Sequence, residues 1–162
     1  MDFSLRKFFN EFHNRKGNEN TLIKNKKLGK QLMGYIVVKL IDALHHLNQL
    51  KIIHRDIKPE NILISLNGEL KLCDFGEARV GSFKVSTEKT LCTRGYRPPE
   101  VYRDEQILTN FETYDIWGLG IIILEFFYGI NPYEMGLIGL LEPDLYMWEV
   151  GLKDSFKLIV HL

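Results

Sequence analysis

Leu5, Phe8, Phe9 and Phe12 recur at the three- and four-residue steps of a helix, while Arg6, Lys7 and Glu11 fall off that stripe. The pattern predicts a short amphipathic helix over residues 4–12, with the charged positions facing water. A longer stripe runs through Leu32, Ile36, Leu40, Ala43, Leu44 and Leu47 and describes one buried face of a long helix. Between the two, residues 14–27 are rich in Asn and Lys, as expected of a solvated connection. Residues 51–61, which include Pro59, read as a loop. Two short apolar runs follow, Ile62-Leu63-Ile64 and Leu70-Lys71-Leu72-Cys73, joined by Leu66-Asn67-Gly68-Glu69, and the Asn-Gly pair between them predicts a β-hairpin. Residues 74–99 carry Gly76, Gly81, Gly95, Pro98 and Pro99 with little periodicity, a long loop of the kind that usually has a function. The most apolar stretch, broken only by Glu125, predicts a second buried helix from about Tyr114 to Tyr128. The fold class expected is mainly α with a small β-hairpin.

Composition narrows the function classes. With 162 residues, 45% hydrophobic and 26% charged, the chain is a folded globular domain or part of one. Lys and Arg number 21 and Asp and Glu number 21, so the net charge is zero and no broad basic footprint suits nucleic acid or an anionic membrane. Neither partner is expected. The apolar run around residues 116–130 is short of the roughly 20 residues that span a bilayer. Asp2, Arg6, Lys7 and Glu11 interrupt the apolar positions of the first twelve residues, unlike a signal peptide. Cys73 and Cys92 are too few for a disulfide scaffold and fit no zinc spacing, which suits a reducing interior. The expected location is intracellular, cytoplasmic or nuclear. His13, His45, His46 and His161 form no metal-ligand set with Cys, Asp or Glu.

The chemistry-bearing residues cluster in the middle of the chain. His54-Arg55-Asp56-Ile57-Lys58-Pro59-Glu60-Asn61, followed by Asp74-Phe75-Gly76 and then by Pro98-Pro99-Glu100, resembles the eukaryotic-type protein kinase family. Ile57 stands where Leu is usual and Pro98 where Ala is usual. Cys92-Thr93-Arg94-Gly95-Tyr96-Arg97-Pro98-Pro99-Glu100 is most similar to the TRxYRxPE of the cyclin-dependent and mitogen-activated kinase group, and Tyr114-Asp115-Ile116-Trp117-Gly118 resembles the start of the central kinase helix. Asn131-Pro132-Tyr133 resembles the turn that ends it.

The resemblance implies a set of roles. Asp56 accepts the proton of a substrate hydroxyl, and Lys58 stabilises the transferring phosphoryl group of ATP. Asn61 and Asp74 hold Mg2+ with the hard oxygen ligands that this ion prefers. Lys58 within HRDIKPEN points to Ser or Thr as the acceptor. Thr93 bonds Asp56 and Lys58 and shapes the substrate site, to which Arg97 and Glu100 belong; Glu100 has no nameable partner. Arg55 pairs an acid or phosphate of the activation loop, with a solvated arginine as the plain alternative. Candidate phosphoacceptors are Ser86, Thr87 and Thr90, and Glu88 offers a fixed negative charge instead. His54 packs and bonds to hold the loop. Asp115 caps and tethers the loop backbone, with an ordinary helix N-cap as the alternative. Cys73 faces the nucleotide or is simply buried.

The same resemblance implies a partial kinase domain over residues 1–162: a kinase-like C-lobe lacking the N-terminal β-rich lobe, with Met1 at the hinge, no GxGxxG loop, no VAIK lysine, and a poor match over residues 136–162. The function implied is ATP-dependent phosphoryl transfer to protein Ser/Thr hydroxyls, with ATP and Mg2+ as cofactors, and with a protein substrate and a regulatory protein as partners. Two other readings stay open, a catalytically silent kinase-like binding module and a chain that receives its nucleotide lobe from another protein.

Overall fold

A computed structural model describes residues 3–13, 26–81, 83–84, 93–98, 108–109 and 111–134. Chain direction turns sharply after the two-residue strand β1 (Phe3–Ser4), where the Ser4 hydroxyl accepts the Lys7 N–H at 3.3 Å and starts helix α1 (Leu5–His13). Leu5, Phe8 and Phe9 are buried on the expected face, and Phe12 packs its ring 4.8 Å from Phe126. Lys7 and Glu11 are exposed, but Arg6 is only half-exposed. Arg6 does not face water as expected, because its guanidinium bonds Glu60, Glu125 and Tyr96.

Helix α2 (Lys26–Gln49) buries Ile36, Leu40, Leu44 and Leu47, as its stripe requires. Gly29 and Met33 are buried towards its N-terminal end, and Leu32 and Ala43 are only half-buried at the margin of the face. Helix α3 (Phe111–Tyr128) begins three residues before the predicted start and buries Leu119, Ile121, Ile122 and Phe126 against α1 and α2. These three helices and the apolar residues of the strands share one core.

Strand β2 (Ile52–Ile53) leads out of α2 through Lys51. The predicted hairpin is formed by β3 (Ile62–Ile64) and β4 (Leu70–Leu72), antiparallel with Ile62 opposite Leu72 and Ile64 opposite Leu70. Gly68 takes φ +84° in its turn, a conformation that costs glycine little. Strand β1 adds to the outer side of β3, with Phe3 opposite Ile64, which makes a three-stranded sheet in the order β1-β3-β4.

Parts of residues 74–99 expected as loop are ordered into short elements. A 3-10 turn spans Phe75–Glu77, β5 (Arg79–Val80) pairs with β2, β6 (Phe83–Lys84) pairs with β7 (Leu108–Thr109), and another 3-10 turn spans Arg94–Tyr96. The class is mainly α, but with two strand pairs beyond the predicted hairpin. Most of the 14–27 connection, the phosphoacceptor candidates Ser86, Thr87 and Thr90, and Glu88, Cys92, Glu100 and residues 135–162 lie outside the described residues. Among the described residues, no helix is long and apolar enough to cross a membrane.

Candidate active site

The site is built around a loop that α3 holds by its backbone. The His54 N–H donates to Asp115 Oδ2 at 2.8 Å and the Arg55 N–H to Asp115 Oδ1 at 2.9 Å, so one buried carboxylate pins two successive amides. Arg55 sits at φ +68°, a left-handed conformation uncommon outside glycine, and the Asp115 bond holds it there. Asp115 is the fifth residue of α3, well inside the helix. The N-cap alternative is therefore corrected, because the helix starts earlier than its apolar pattern announces, and the tether is what the structure contains. One turn further, a Cβ on Gly118 would lie 2.9 Å from the Ile57 carbonyl oxygen, and only a residue without a side chain lets the loop come this close.

Pinned in this way, the loop presents Asp56 to a converging set of donors. Lys58 Nζ donates to Asp56 Oδ2 at 2.6 Å and the Asn61 amide donates to the same oxygen at 3.0 Å. The Thr93 hydroxyl donates to Asp56 Oδ1 at 2.9 Å, and the Thr93 N–H at 3.3 Å. Lys58 Nζ also donates to the Thr93 hydroxyl at 2.7 Å, closing a triangle of Asp56, Lys58 and Thr93. Burial alone would raise the Asp56 carboxyl, but the Lys58 ammonium and the Thr93 donors outweigh it and hold it below the usual carboxylate range.

His54 and Arg55 support this loop from beneath. The His54 ring is fully buried, its Nε2 donates to the Cys73 carbonyl at 3.1 Å, its Nδ1 accepts the Asp56 N–H at 3.4 Å, and Phe75 packs on it at 4.6 Å. That pair of bonds places the proton on Nε2. Arg55 is 2% exposed, which removes the solvated alternative; its Nε donates to the Glu77 carbonyl at 2.6 Å and its guanidinium lies 3.6 Å from the Glu77 carboxylate. Glu77, directly after Asp74-Phe75-Gly76, is a partner that the sequence did not single out.

Asn61 and Asp74 come to the same end of the β3–β4 hairpin. The Cys73 N–H donates to the Asn61 carbonyl at 2.9 Å, so the ladder runs on past the strands and brings residue 74 beside the loop. Both amide hydrogens used by Asn61 go to Asp56, and its side-chain oxygen has no protein partner among the described residues. Asp74 is exposed at φ +62°, with one carboxylate oxygen accepting the Gly76 N–H at 3.4 Å. An amide oxygen and a carboxylate, both hard and both available, are a donor pair that suits Mg2+. Cys73 is half-buried, its thiol directed to the Asn61 carbonyl at 3.4 Å and pushed up in pKa by burial and by Asp74.

The far wall is the turn after Thr93. Asn131 donates to the Gly95 carbonyl at 3.1 Å, the Tyr133 hydroxyl donates to the Arg97 carbonyl, and Pro98 is fully buried. The Arg97 carbonyl is thus one anchor point of this wall. Beneath the turn, Arg6 bonds Glu60, Glu125 and Tyr96. None of these four was marked from sequence; the available signal was Glu125 itself, a carboxylate in an apolar helix that has to find a partner.

The family model for the protein kinase domain matches residues 4–138 of the 162. Aurora kinase C of Mus musculus is 39% identical over 115 residues, covering 70% of this chain and 40% of that protein. Aurora kinase of Candida glabrata is 36% identical over 141 residues, 81% of this chain and 37% of that protein. The serine/threonine-protein kinase SCH9 of Candida albicans is 42% identical over 101 residues, 62% of this chain and 13% of that protein. A chain in the crystal structure of the yeast RNA Pol II CTD kinase CTDK-1 complex matches with a TM-score of 0.58 and 28% identity, over 80% of this chain and 38% of that one. The chain thus spans less than half the length of these relatives. By sequence and by fold, this chain belongs to the protein kinase family, among relatives of the serine/threonine type.

Proposed function

We propose that the chain carries the acceptor side of an ATP-dependent phosphoryl transfer to Ser or Thr hydroxyls of a protein, as the C-terminal lobe of a kinase domain spanning residues 1–162. The observation that carries this is the convergence of Lys58, Asn61 and Thr93 on Asp56. Transfer of a phosphoryl group needs an oriented acceptor hydroxyl and neutralised charge rather than covalent work by the protein. Asp56 suits the acceptor role, because its carboxylate is ionised well below neutral pH and is aimed by donors on both oxygens.

Four protein donors occupy that carboxylate, about as many as its lone pairs accept. An incoming hydroxyl therefore replaces one of them, and the Thr93 N–H at 3.3 Å is the longest contact and the first to yield. Lys58 then holds the other oxygen and places positive charge beside the attacked phosphorus. Asn61 and Asp74 would hold Mg2+, which when bound neutralises phosphate charge; their donor chemistry supports this and the Asn61 bonds to Asp56 tie that position to the acceptor. The α-rich fold with its single three-stranded sheet supports the lobe assignment. The kinase family supports a protein substrate and ATP, and the CTDK-1 complex supports a regulatory protein partner.

The test is to supply the natural protein with MgATP and peptides that carry Ser, Thr or Tyr as the single acceptor. Labelled Ser and Thr peptides with unlabelled Tyr peptides are expected. Nucleotide binding without transfer to any peptide would favour a binding module.

A further inference from the structure

The tip of the β3–β4 hairpin carries chemistry that phosphoryl transfer does not use. Asn67 is the one asparagine in the sequence that precedes glycine. It is exposed, beside Leu66 at 86% exposure, in the turn where Gly68 takes φ +84°. An asparaginyl-glycyl bond is prone to ring closure, because glycine has no side chain to shield its amide nitrogen from the preceding side-chain carbonyl.

The turn adds a second contribution. The Ser65 hydroxyl donates to Asn67 Oδ1 and accepts the Glu69 N–H at 3.0 Å, so its proton is aimed at the side-chain amide. A donor on that oxygen stabilises the negative charge it gains when a nucleophile adds to Cγ. The Ser65 N–H also donates to the Glu69 carbonyl at 2.9 Å. These two bonds between residues 65 and 69 close the base of the turn by themselves. The Gly68 N–H, which donates to the Ser65 carbonyl at 3.0 Å, can therefore open without parting the strands.

We infer that Asn67 is a site of spontaneous deamidation and isomerisation, assisted by the Ser65 hydroxyl. The Gly68 nitrogen gives its proton to water and attacks Asn67 Cγ, forming a succinimide ring. The Cγ–Nδ2 bond breaks, and Nδ2 leaves as ammonia with a proton taken back from water. Water then adds to a ring carbonyl. Opening the bond from nitrogen to Cγ gives aspartate, and opening the bond from nitrogen to the main-chain carbon gives isoaspartate, whose backbone runs through the side chain. The net change is uptake of water and release of ammonia, with no oxidation.

Isoaspartate lengthens the main chain between two strands of only three residues each, Ile62–Ile64 and Leu70–Leu72. The Tyr35 hydroxyl donates to the Gly68 carbonyl at 3.1 Å and ties the tip to α2, so this contact is the first to be lost. The pairing of Ile64 with Leu70 is next, and the opposite end of the same ladder holds Asn61 and Asp74. The effect at that end rests on the proposed transfer reaction, whereas the modification rests on the turn alone.

The experiment incubates the natural full-length protein, Asn67→Gln and Ser65→Ala for weeks at neutral pH, and follows position 67 by peptide mass spectrometry and by enzymatic methyl labelling of isoaspartate. Isoaspartate is expected at position 67 of the natural protein and not in Asn67→Gln, whose longer side chain closes its ring far more slowly. Ser65→Ala should deamidate about fivefold more slowly, for want of one hydrogen bond to the developing charge. Aged natural protein should bind MgATP about threefold more weakly than fresh protein, a coupling passed along the hairpin, while aged Asn67→Gln keeps its fresh affinity. An Asn67 that stays intact in the folded protein while the urea-unfolded chain deamidates would overturn the inference. Ser65→Ala deamidating at the natural rate or faster would overturn the role of Ser65, and an unchanged MgATP affinity after ageing would overturn the link to Asn61 and Asp74. Fresh protein that binds no MgATP would count against the transfer reading, whereas the isoaspartate assay would still decide the site.

Discussion

Asp115 and Arg55 lie 60 residues apart, yet the Asp115 carboxylate accepts the Arg55 N–H at 2.9 Å and holds that residue at φ +68°. A helix interior thereby fixes the backbone of the loop that carries Asp56. Asp115→Asn leaves one oxygen for two backbone donors and turns an NH2 toward the other. A stability loss of about 2–4 kcal/mol is expected, from losing a charged acceptor and stranding a buried N–H. Denaturant unfolding of the variant checks it, and a change below about 0.5 kcal/mol would show that the tether carries little.

Gly118 faces the Ile57 carbonyl with no room for a side chain. Gly118→Ala should displace the loop and cost about 1–3 kcal/mol, the range for overpacking. Transfer to peptide should fall more than nucleotide binding, because the shift acts on Asp56 first. Thermal unfolding together with nucleotide titration measures both effects.

The pH dependence of Asp56 follows from its lowered pKa. A carboxyl that ionises more readily in the folded than in the unfolded chain adds stability that is complete above the unfolded value of about 3.9 and is lost as pH falls through the lower folded value. The stability difference between the natural chain and Asp56→Asn should therefore stay constant from pH 5 to 8 and shrink only below about pH 4. Urea unfolding across that range reads it directly.

His13 works in the opposite pH region. Burial against Phe126 and Phe12 lowers its pKa despite a backbone bond to Phe126 and the nearby Glu125 charge. Between the unfolded value of about 6.5 and the lower folded value, the unfolded chain binds more protons, so stability falls as pH falls, by at most about 1.4 kcal/mol per pH unit. His13→Gln should flatten the slope between pH 6.5 and 5. Identical slopes in both proteins would place the titration elsewhere.

How much could be seen in the sequence depended on how local each signal is. The helical stripes and the Asn67-Gly68 turn are set by neighbouring residues and predicted α1, α2 and the β3–β4 hairpin. The loop around Asp56 was legible because its residues resemble the protein kinase motifs at their usual spacings, and Asp56, Lys58, Asn61 and Thr93 do converge. Strands β1, β2 and β5 were invisible, since two residues carry no alternation. Arg6 was assigned to water because its partner Glu125 lies 119 residues away, and a helical wheel contains no information about that distance. The start of α3 was placed too late, because Phe111–Thr113 lie outside the continuous apolar run, and so Asp115 was weighed as an N-cap.

In the proposed reaction Asp56 accepts the proton of the phosphorylated hydroxyl, so its loss should act on transfer and spare nucleotide binding. The most direct measurement compares the natural full-length protein with Asp56→Asn and Asp74→Asn, for MgATP binding and for transfer to a Ser or Thr peptide. Asp56→Asn should lower transfer roughly 10²–10⁴-fold with nucleotide binding kept, while Asp74→Asn should weaken the binding of MgATP. Transfer by Asp56→Asn at the natural rate would show that Asp56 does not take the acceptor's proton.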